Sequence, residues 1–197
     1  MQERRSIGIY DPNRNVNEED VIECIKAALY APSGCNAQPW KFYWIKDKKV
    51  RGNIRKKDSL FYQSDFYNSP VWILVTSCPD AYIGKRGAEH QVGENLPSNL
   101  KQRSIMFDKE RIDTEQNRKL RATRDTSFGV SYFLLMATAL GIDTSPVGLI
   151  KKEAIRKELH IPENEQIEYA IVMGHRPLGY NVKPKITHSI DNVLVID

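Results

Sequence analysis

A chain of 197 residues, 41% hydrophobic and 27% charged, has the size and balance of an ordinary globular domain, which excludes a disordered or membrane-embedded class. With 29 basic and 25 acidic residues the net charge is +4, a mild excess that suits an anionic ligand and is too small to imply nucleic acid. No apolar run approaches the roughly 20 residues of a spanning helix, and the opening MQERRSIGIYD lacks the apolar stretch of a signal peptide, so a cytoplasmic protein with no membrane partner is expected. Cys24, Cys35 and Cys78 form neither an even set nor a CxxC pair, so reduced thiols are expected in place of disulfides or a zinc site.

In chain order, Asn17 followed by Glu18, Glu19 and Asp20 predicts a capped helix start with negative charge on its first turn, running to about Leu29. Val21, Ile22, Ile25 and Leu29 fall at helical spacing and predict its buried face, and Pro32 stops it. The stretch from Ala31 to Trp40 (APSGCNAQPW) then carries far more polar groups than a turn needs, which points to a loop aimed at a ligand. Lys41–Lys46 (KFYWIK) reads as a strand, DKKVRGNIRKK as a basic surface helix and Val71–Cys78 (VWILVTSC) as a buried strand. From Pro79 to about Arg121 the pattern dissolves into Gly, Pro, Asn and charge, and reads as a mobile cover. The cations between Lys101 and Arg124 are interrupted by Asp108, Glu110, Asp113 and Glu115, so a solvated, salt-bridged face is expected there. Thr126–Leu140 (TSFGVSYFLLMATAL) predicts a helix apolar almost all round at the centre of the core, ended by Gly141. Lys151–Leu159 predicts another short helix and Glu168–Gly174 (EYAIVMG) another strand.

The tail from Arg176 to Asn192 has no apolar periodicity, yet VLVI appears at Val193–Ile196. Those seventeen residues, extended, reach roughly 55 Å, several times the radius of a domain this size. The terminal strand can therefore pair with its own sheet or with that of a second subunit, and an arm around a second subunit is the favoured reading. No GxGxxG or Walker loop is present, so any phosphate must be held by side chains. Arg4, Arg5 and Ser6 at the start, and Lys183 and Lys185 in the tail, are the candidates. His90, His160, His175 and His188 form no HxxxH or HExxH pattern, so no metal is expected, and no serine sits in GxSxG.

Four pieces then line up. Arg4-Arg-Ser-Ile7, the Ala31–Trp40 loop, Ala139-Leu-Gly-Ile-Asp-Thr-Ser-Pro-Val-Gly148 and Val172-Met-Gly-His-Arg-Pro177, in that order and over nearly the whole chain, resemble the FMN-dependent nitroreductase family. The resemblance implies an α+β, nitroreductase-like fold: a central, mostly antiparallel sheet packed by helices, with the C-terminal arm exchanged in a homodimer that holds two FMN molecules at its interface. It implies one domain over residues 1–197, with 79–121 as a variable covering insert and 176–197 as the arm.

Carried onto this chain, the resemblance puts Arg4, Arg5 and Ser6 on the FMN phosphate and flavin edge, with Lys183 and Lys185 helping to hold the phosphate. Pro32, Ser33, Gly34, Cys35 and Asn36 would come from the opposite subunit. Pro146, Val147 and Gly148 would form a turn facing the flavin N5 region, and Gln63 is a further candidate contact. A reduced flavin carries negative charge near N1 and the C2 carbonyl, so nearby cations and amide donors stabilise it. The implied reaction is ping-pong: NADH or NADPH delivers hydride to flavin N5 and leaves, and a nitroaromatic or quinone-type acceptor follows. The flavin carries that chemistry, so no side chain is assigned as a catalytic acid or base.

The pattern is departed from in three places. Gly8 stands where many members of the family carry a third basic residue; a hydrogen bond to a charged group is worth about 1.5 to 3 kcal/mol, so its loss weakens FMN roughly tenfold to a hundredfold. Gly34 and Cys35 replace a more usual serine and its neighbour, and Ser59–Asn68 has no obvious match to the family's polar flavin-edge contacts. Two alternatives stay open: a related flavoenzyme that dehalogenates reductively or fragments flavin, and a protein that binds FMN without turnover.

Overall fold

A computed structural model describes residues 3–57, 64–82, 114–148 and 150–196. Among these, the elements in chain order are α1 (Glu18–Leu29), β1 (Trp40–Trp44), α2 (Lys48–Lys56), β2 (Val71–Ser77), α3 (Glu115–Ala139), β3 (Asp143–Val147), α4 (Lys152–Leu159) and β4 (Gln166–Gly174). The strands form one sheet in the order β1-β2-β4-β3, every neighbouring pair antiparallel. This is the α+β layout expected of the sequence. No described helix is long and apolar enough to cross a membrane.

Both faces of the sheet are buried, and β2 shows how. Its residues alternate strictly, as side chains on a pleated strand must. Val71, Ile73 and Val75 pack with Val21, Cys24 and Ala28 of α1 and with Val130, Phe133 and Ala137 of α3. Trp72 and Leu74 pack on the other side with Ile54 of α2 and Ile155 of α4. Phe42 of β1 stacks on Phe133 with ring centroids 5.7 Å apart, which fixes the sheet against the long helix.

Beside this second core lies one buried carboxylate. Glu165 accepts hydrogen bonds from the Tyr43 hydroxyl at 2.8 Å and the Thr76 hydroxyl at 2.7 Å, and pairs with Lys41. Burial opposes its ionisation, but these donors outweigh it and hold the carboxyl below its usual range. Two of the three donors belong to β1, so Glu165 ties that edge strand to the body of the protein.

Several expectations are corrected. The buried face of α1 is Val21, Cys24 and Ala28, while Ile22 and Leu29 are half exposed; α3 packs closely against the small residues rather than the largest apolar ones. Asn17 occupies the N-cap position without a side-chain cap, its amide donating to Asp20 at 3.4 Å. Helix α3 starts at Glu115 rather than Thr126, because Thr114 caps it by accepting from the Asn117 amide at 3.2 Å. Residues 115–121 are therefore helix and not cover; 83–113, which carry the rest of the expected insert, lie outside the described residues. Nor is α3 apolar all round in its setting: Phe128 and Tyr132 are exposed, and the buried stripe includes Asp125 and Thr126. Gly141, at φ 72°, ends the helix as expected.

Strand β3 was not anticipated, because Pro146 sits in it. Pro146 pairs with Ile171 at the edge of the sheet, where a missing N–H costs no ladder bond. Pro146 and Val147 thus belong to a strand rather than to the expected turn, and only Gly148 lies beyond it. At the other extreme, Val193–Ile196 does not join this sheet: a 3-10 turn at Ile190–Asn192 precedes it, and all four residues are exposed.

Candidate functional site

The N-terminal segment runs along the free edge of β3. Ser6 bridges Thr144 in parallel, and the Ile7 amide donates to the Thr144 carbonyl at 3.0 Å. Arg4 and Arg5 are consequently half-buried at this edge. Arg5 Nε donates to the Lys183 carbonyl at 3.4 Å, so the basic part of the tail is drawn to the N-terminal pair. The root of the tail is clamped to the same strand. Arg176 grips Asp143 through Nε at 2.9 Å and Nη2 at 2.5 Å, and its backbone amide adds a third bond at 2.8 Å. Basic residues from the start of the chain and from the tail thereby come to one edge of the sheet, and residues of this type suit a phosphate.

Two further features mark this edge. Gly148 is exposed, and a Cβ added to it would meet nothing within 4 Å. The Thr144 hydroxyl, 1% exposed, has no hydrogen-bond partner among the described residues, and an unsatisfied buried hydroxyl is costly unless something supplies its partner.

The polar loop after α1 is built differently. Ser33–Asn36 makes one 3-10 turn, and Asn36 (φ 52°) and Gln38 (φ 45°) both take the left-handed conformation. Each such residue costs of order 1 kcal/mol or more and persists only where the surroundings hold it. Here Ser33 Oγ accepts from the Gln38 amide at 3.0 Å, and Asn36 Oδ1 accepts from Gln38 Nε2 at 3.3 Å. The Gly34 amide donates at 2.7 Å to Oδ2 of Asp125, which is 2% exposed on α3. Tyr82 donates to the same oxygen at 2.7 Å, and burial followed by that bond pushes its phenol far above its usual pKa, so it stays a donor. A Cβ on Gly34 would lie 2.2 Å from Arg121 Nη2, so any side chain there would have to displace that guanidinium. Pro32 and Asn36 face solvent.

The two groups of expected site residues therefore stand apart. Arg4–Ser6 and Lys183 flank β3, whereas Ser33–Asn36 leads into β1, at the opposite edge. Three strand spacings separate those edges, about 14 Å. Lys185 lies in the exposed tail. Gln63 and the side chain of Cys35 fall outside the described residues. Sequence reasoning missed Asp125, Tyr82, Asp143 and Arg176 as organisers, although Asp143 and Arg176 stand inside two of the four motifs and Asp125 heads an otherwise apolar helical run.

The model of the nitroreductase family matches residues 1–60 and 53–175 of this chain. A provisionally named NAD(P)H nitroreductase, YdgI of Bacillus subtilis (strain 168), is 28% identical over 172 residues, 82% of this chain and 82% of that protein. A nitroreductase-like protein from Streptococcus mutans superposes with a TM-score of 0.86 at 19% identity, covering 100% of this chain and 95% of that one. A provisionally named nitroreductase from Exiguobacterium sibiricum 255-15, crystallised in complex with FMN, gives a TM-score of 0.79 at 21% identity over 98% of this chain and 93% of its own.

Proposed function

Because this chain belongs to the nitroreductase family, we propose that it is an FMN-dependent NAD(P)H oxidoreductase that reduces nitroaromatic or quinone-type acceptors and works as a homodimer. The observation that carries this is the meeting of the two chain ends along β3, where Arg5 touches the Lys183 backbone and Arg176 locks the tail root to Asp143. FMN fits the residues present. Guanidinium groups of Arg4 and Arg5 and the ammonium groups of Lys183 and Lys185 would hold its phosphate. The Ser6 hydroxyl would serve its polar edge, and the open space at Gly148 would leave a face of the ring clear for reactants.

When bound, FMN supplies the hydride chemistry, accepting from NAD(P)H and passing electrons to the acceptor by turns. The protein's task is to bind, to orient and to keep the ring's surroundings polar with amide donors and cations. The Ser33–Asn36 loop answers the question its composition raises: its polar atoms are largely spent on holding a strained, rigid turn, which presents Gly34 and Asn36 as a preformed surface. With that loop leading into the edge strand opposite the basic one, the reading takes it from a second copy of the chain.

The same two-copy arrangement accounts for the tail. Strand β1 is an edge strand with no neighbour on its outer side among the described residues. Beside it lies a cavity of about 430 Å³ lined by Ile25, Leu29, Trp40 and Phe42. The exposed Val193–Ile196 of a second copy has the β-forming, apolar character to cover both. The test is direct. Purified protein should be yellow, release FMN on denaturation, bleach anaerobically with NADH or NADPH and recolour with a nitroaromatic or a quinone. A colourless protein that takes up no FMN in excess would remove the proposal, and a yellow one that nicotinamide does not bleach would leave a flavin-binding protein without turnover.

A further inference from the structure

One buried carboxylate joins three parts of the molecule that no sequence pattern connects. Oδ2 of Asp125 accepts from the Gly34 amide and from the Tyr82 hydroxyl, both at 2.7 Å, while Oδ1 accepts from Arg124 Nε at 3.1 Å. Asp125 is 2% and Tyr82 3% exposed. The Arg121 guanidinium lies over the Tyr82 ring, 4.7 Å from its centroid, and occupies the space that a side chain on Gly34 would need. Ala37, Tyr82 and Ala122 close the gap as a small apolar cluster, which keeps water from competing for the carboxylate. Tyr82 is also the last described residue before 83–113. The linkage therefore joins the long helix, the turn that ends β2's excursion and the strained loop at residues 33–38.

We propose that Asp125 is a positioning residue: its carboxylate, acting through the Gly34 amide and steadied by Tyr82, fixes the Ser33–Asn36 loop in the conformation that meets the flavin of the partner copy. This rests on the reading that the loop lies against FMN. The physical need is plain from the loop itself. Asn36 and Gln38 in the left-handed region would relax if nothing held them, and the Gly34–Asp125 bond is a charge-assisted tie from this turn to a rigid helix. A neutral acceptor of the same shape would keep the packing and weaken the tie. An apolar residue would strand two buried donors.

The experiment uses the full-length protein with three substitutions: Asp125→Asn, Tyr82→Phe and Val130→Ala. Val130 is buried on the same helix but faces the sheet, so its truncation lowers stability without touching the loop. Three quantities are read: amide hydrogen exchange over residues 31–40 in cofactor-stripped protein, the dissociation constant for added FMN, and the visible circular dichroism of the bound flavin. Asp125→Asn should speed exchange at Gly34 and its neighbours, weaken FMN about tenfold or more and change the dichroic bands; Tyr82→Phe should do the same more mildly, about twofold to tenfold, as a neutral hydrogen bond is worth less. Val130→Ala should lower Tm and leave exchange over 31–40 and the dichroic bands as in the wild type. If wild-type protein binds FMN and Asp125→Asn shows unchanged exchange and unchanged dichroism, the inference is overturned and the flavin reading stands. If wild-type protein binds no FMN, the flavin reading falls, and faster exchange at Gly34 in Asp125→Asn still upholds the carboxylate as the anchor of the loop. Equal disturbance of the loop by Val130→Ala would mark the effect as general destabilisation and also overturn the inference.

Discussion

The loop at residues 33–38 and most of the tail at residues 178–196 look alike in sequence, carrying small and polar residues without apolar periodicity. In the folded chain they are opposites. The loop has partners in its own chain: Asp125 accepts from the Gly34 amide, Ser33 and Asn36 accept from Gln38, and Gly34 lies against Arg121. Among the described residues the tail is clamped near its root, by Arg176 on Asp143 and Arg5 on Lys183, and beyond that it holds Ile186 at 96% and Val195 at 84% exposure. A polar segment with internal partners is a finished surface, whereas an apolar segment without them is half of an interface. Under the two-copy arrangement proposed above, the contrast separates what one copy of the chain completes alone from what it leaves to a second.

The strongest way to break the contrast is to remove the tail's apolar end. Deleting Asn192–Asp197 should convert a dimer to monomers in sedimentation and strip most of the FMN, while far-ultraviolet circular dichroism stays close to that of the intact chain. An unaltered sedimentation profile would mean that the exposed Val193–Ile196 has no partner in a second copy. Next in size, Arg5→Ala removes both a guanidinium and the contact that draws Lys183 inward. FMN binding should weaken roughly tenfold to a hundredfold, measured by fluorescence quenching, with the sedimentation coefficient unchanged. Binding at wild-type strength would take Arg5 out of the phosphate contact.

A smaller effect concerns the edge strand on which the tail would dock. Glu165 has its carboxyl held below the usual range by Lys41, Thr76 and Tyr43. A lowered folded-state value means that its contribution is fully present above the unfolded value of about 4.3 and is lost as pH falls through the folded one. Glu165→Gln should therefore be less stable than wild type at neutral pH, and the gap in Tm should narrow as the pH is taken below about 4. A gap independent of pH would show that the carboxylate's charge does not contribute. Smallest of all, Gly8→Arg restores a cation beside Arg4–Ser6 and should tighten FMN by up to roughly tenfold; no change in the dissociation constant would show that the position does not reach the phosphate.

How much of this could be read from the chain alone depended on whether the signal was local. The strand at 71–77, the capped helix at 48–56 and the Gly141 stop are set by near neighbours, by alternation, an Asp47 that accepts from the Lys49 and Val50 amides, and a positive φ. The burial of α1 was misjudged because hydrophobicity ranks Ile22 and Leu29 above Cys24 and Ala28, while close packing against α3 selects the small side chains. Strand β3 was missed because a proline argues against a strand until it is known to lie at an edge. The proximity of Arg5 to the Lys183 backbone agrees with a pairing that the order of charged residues suggested. The support of the loop was not legible: Asp125 is 91 residues from Gly34, and nothing in either neighbourhood names the other.

The sequence by itself determined most of the elements, the α+β class and the family, and it marked the polar loop after α1 as unusual, because each follows from local pattern or from motif order. Only the tertiary structure decided that the basic ends of the chain meet along β3, that the loop sits across the sheet from them, and that a carboxylate on the long helix holds it in place. Those facts depend on which edges and faces come together, and that is settled by long-range packing of the sheet between two helical layers rather than by any stretch of residues read alone.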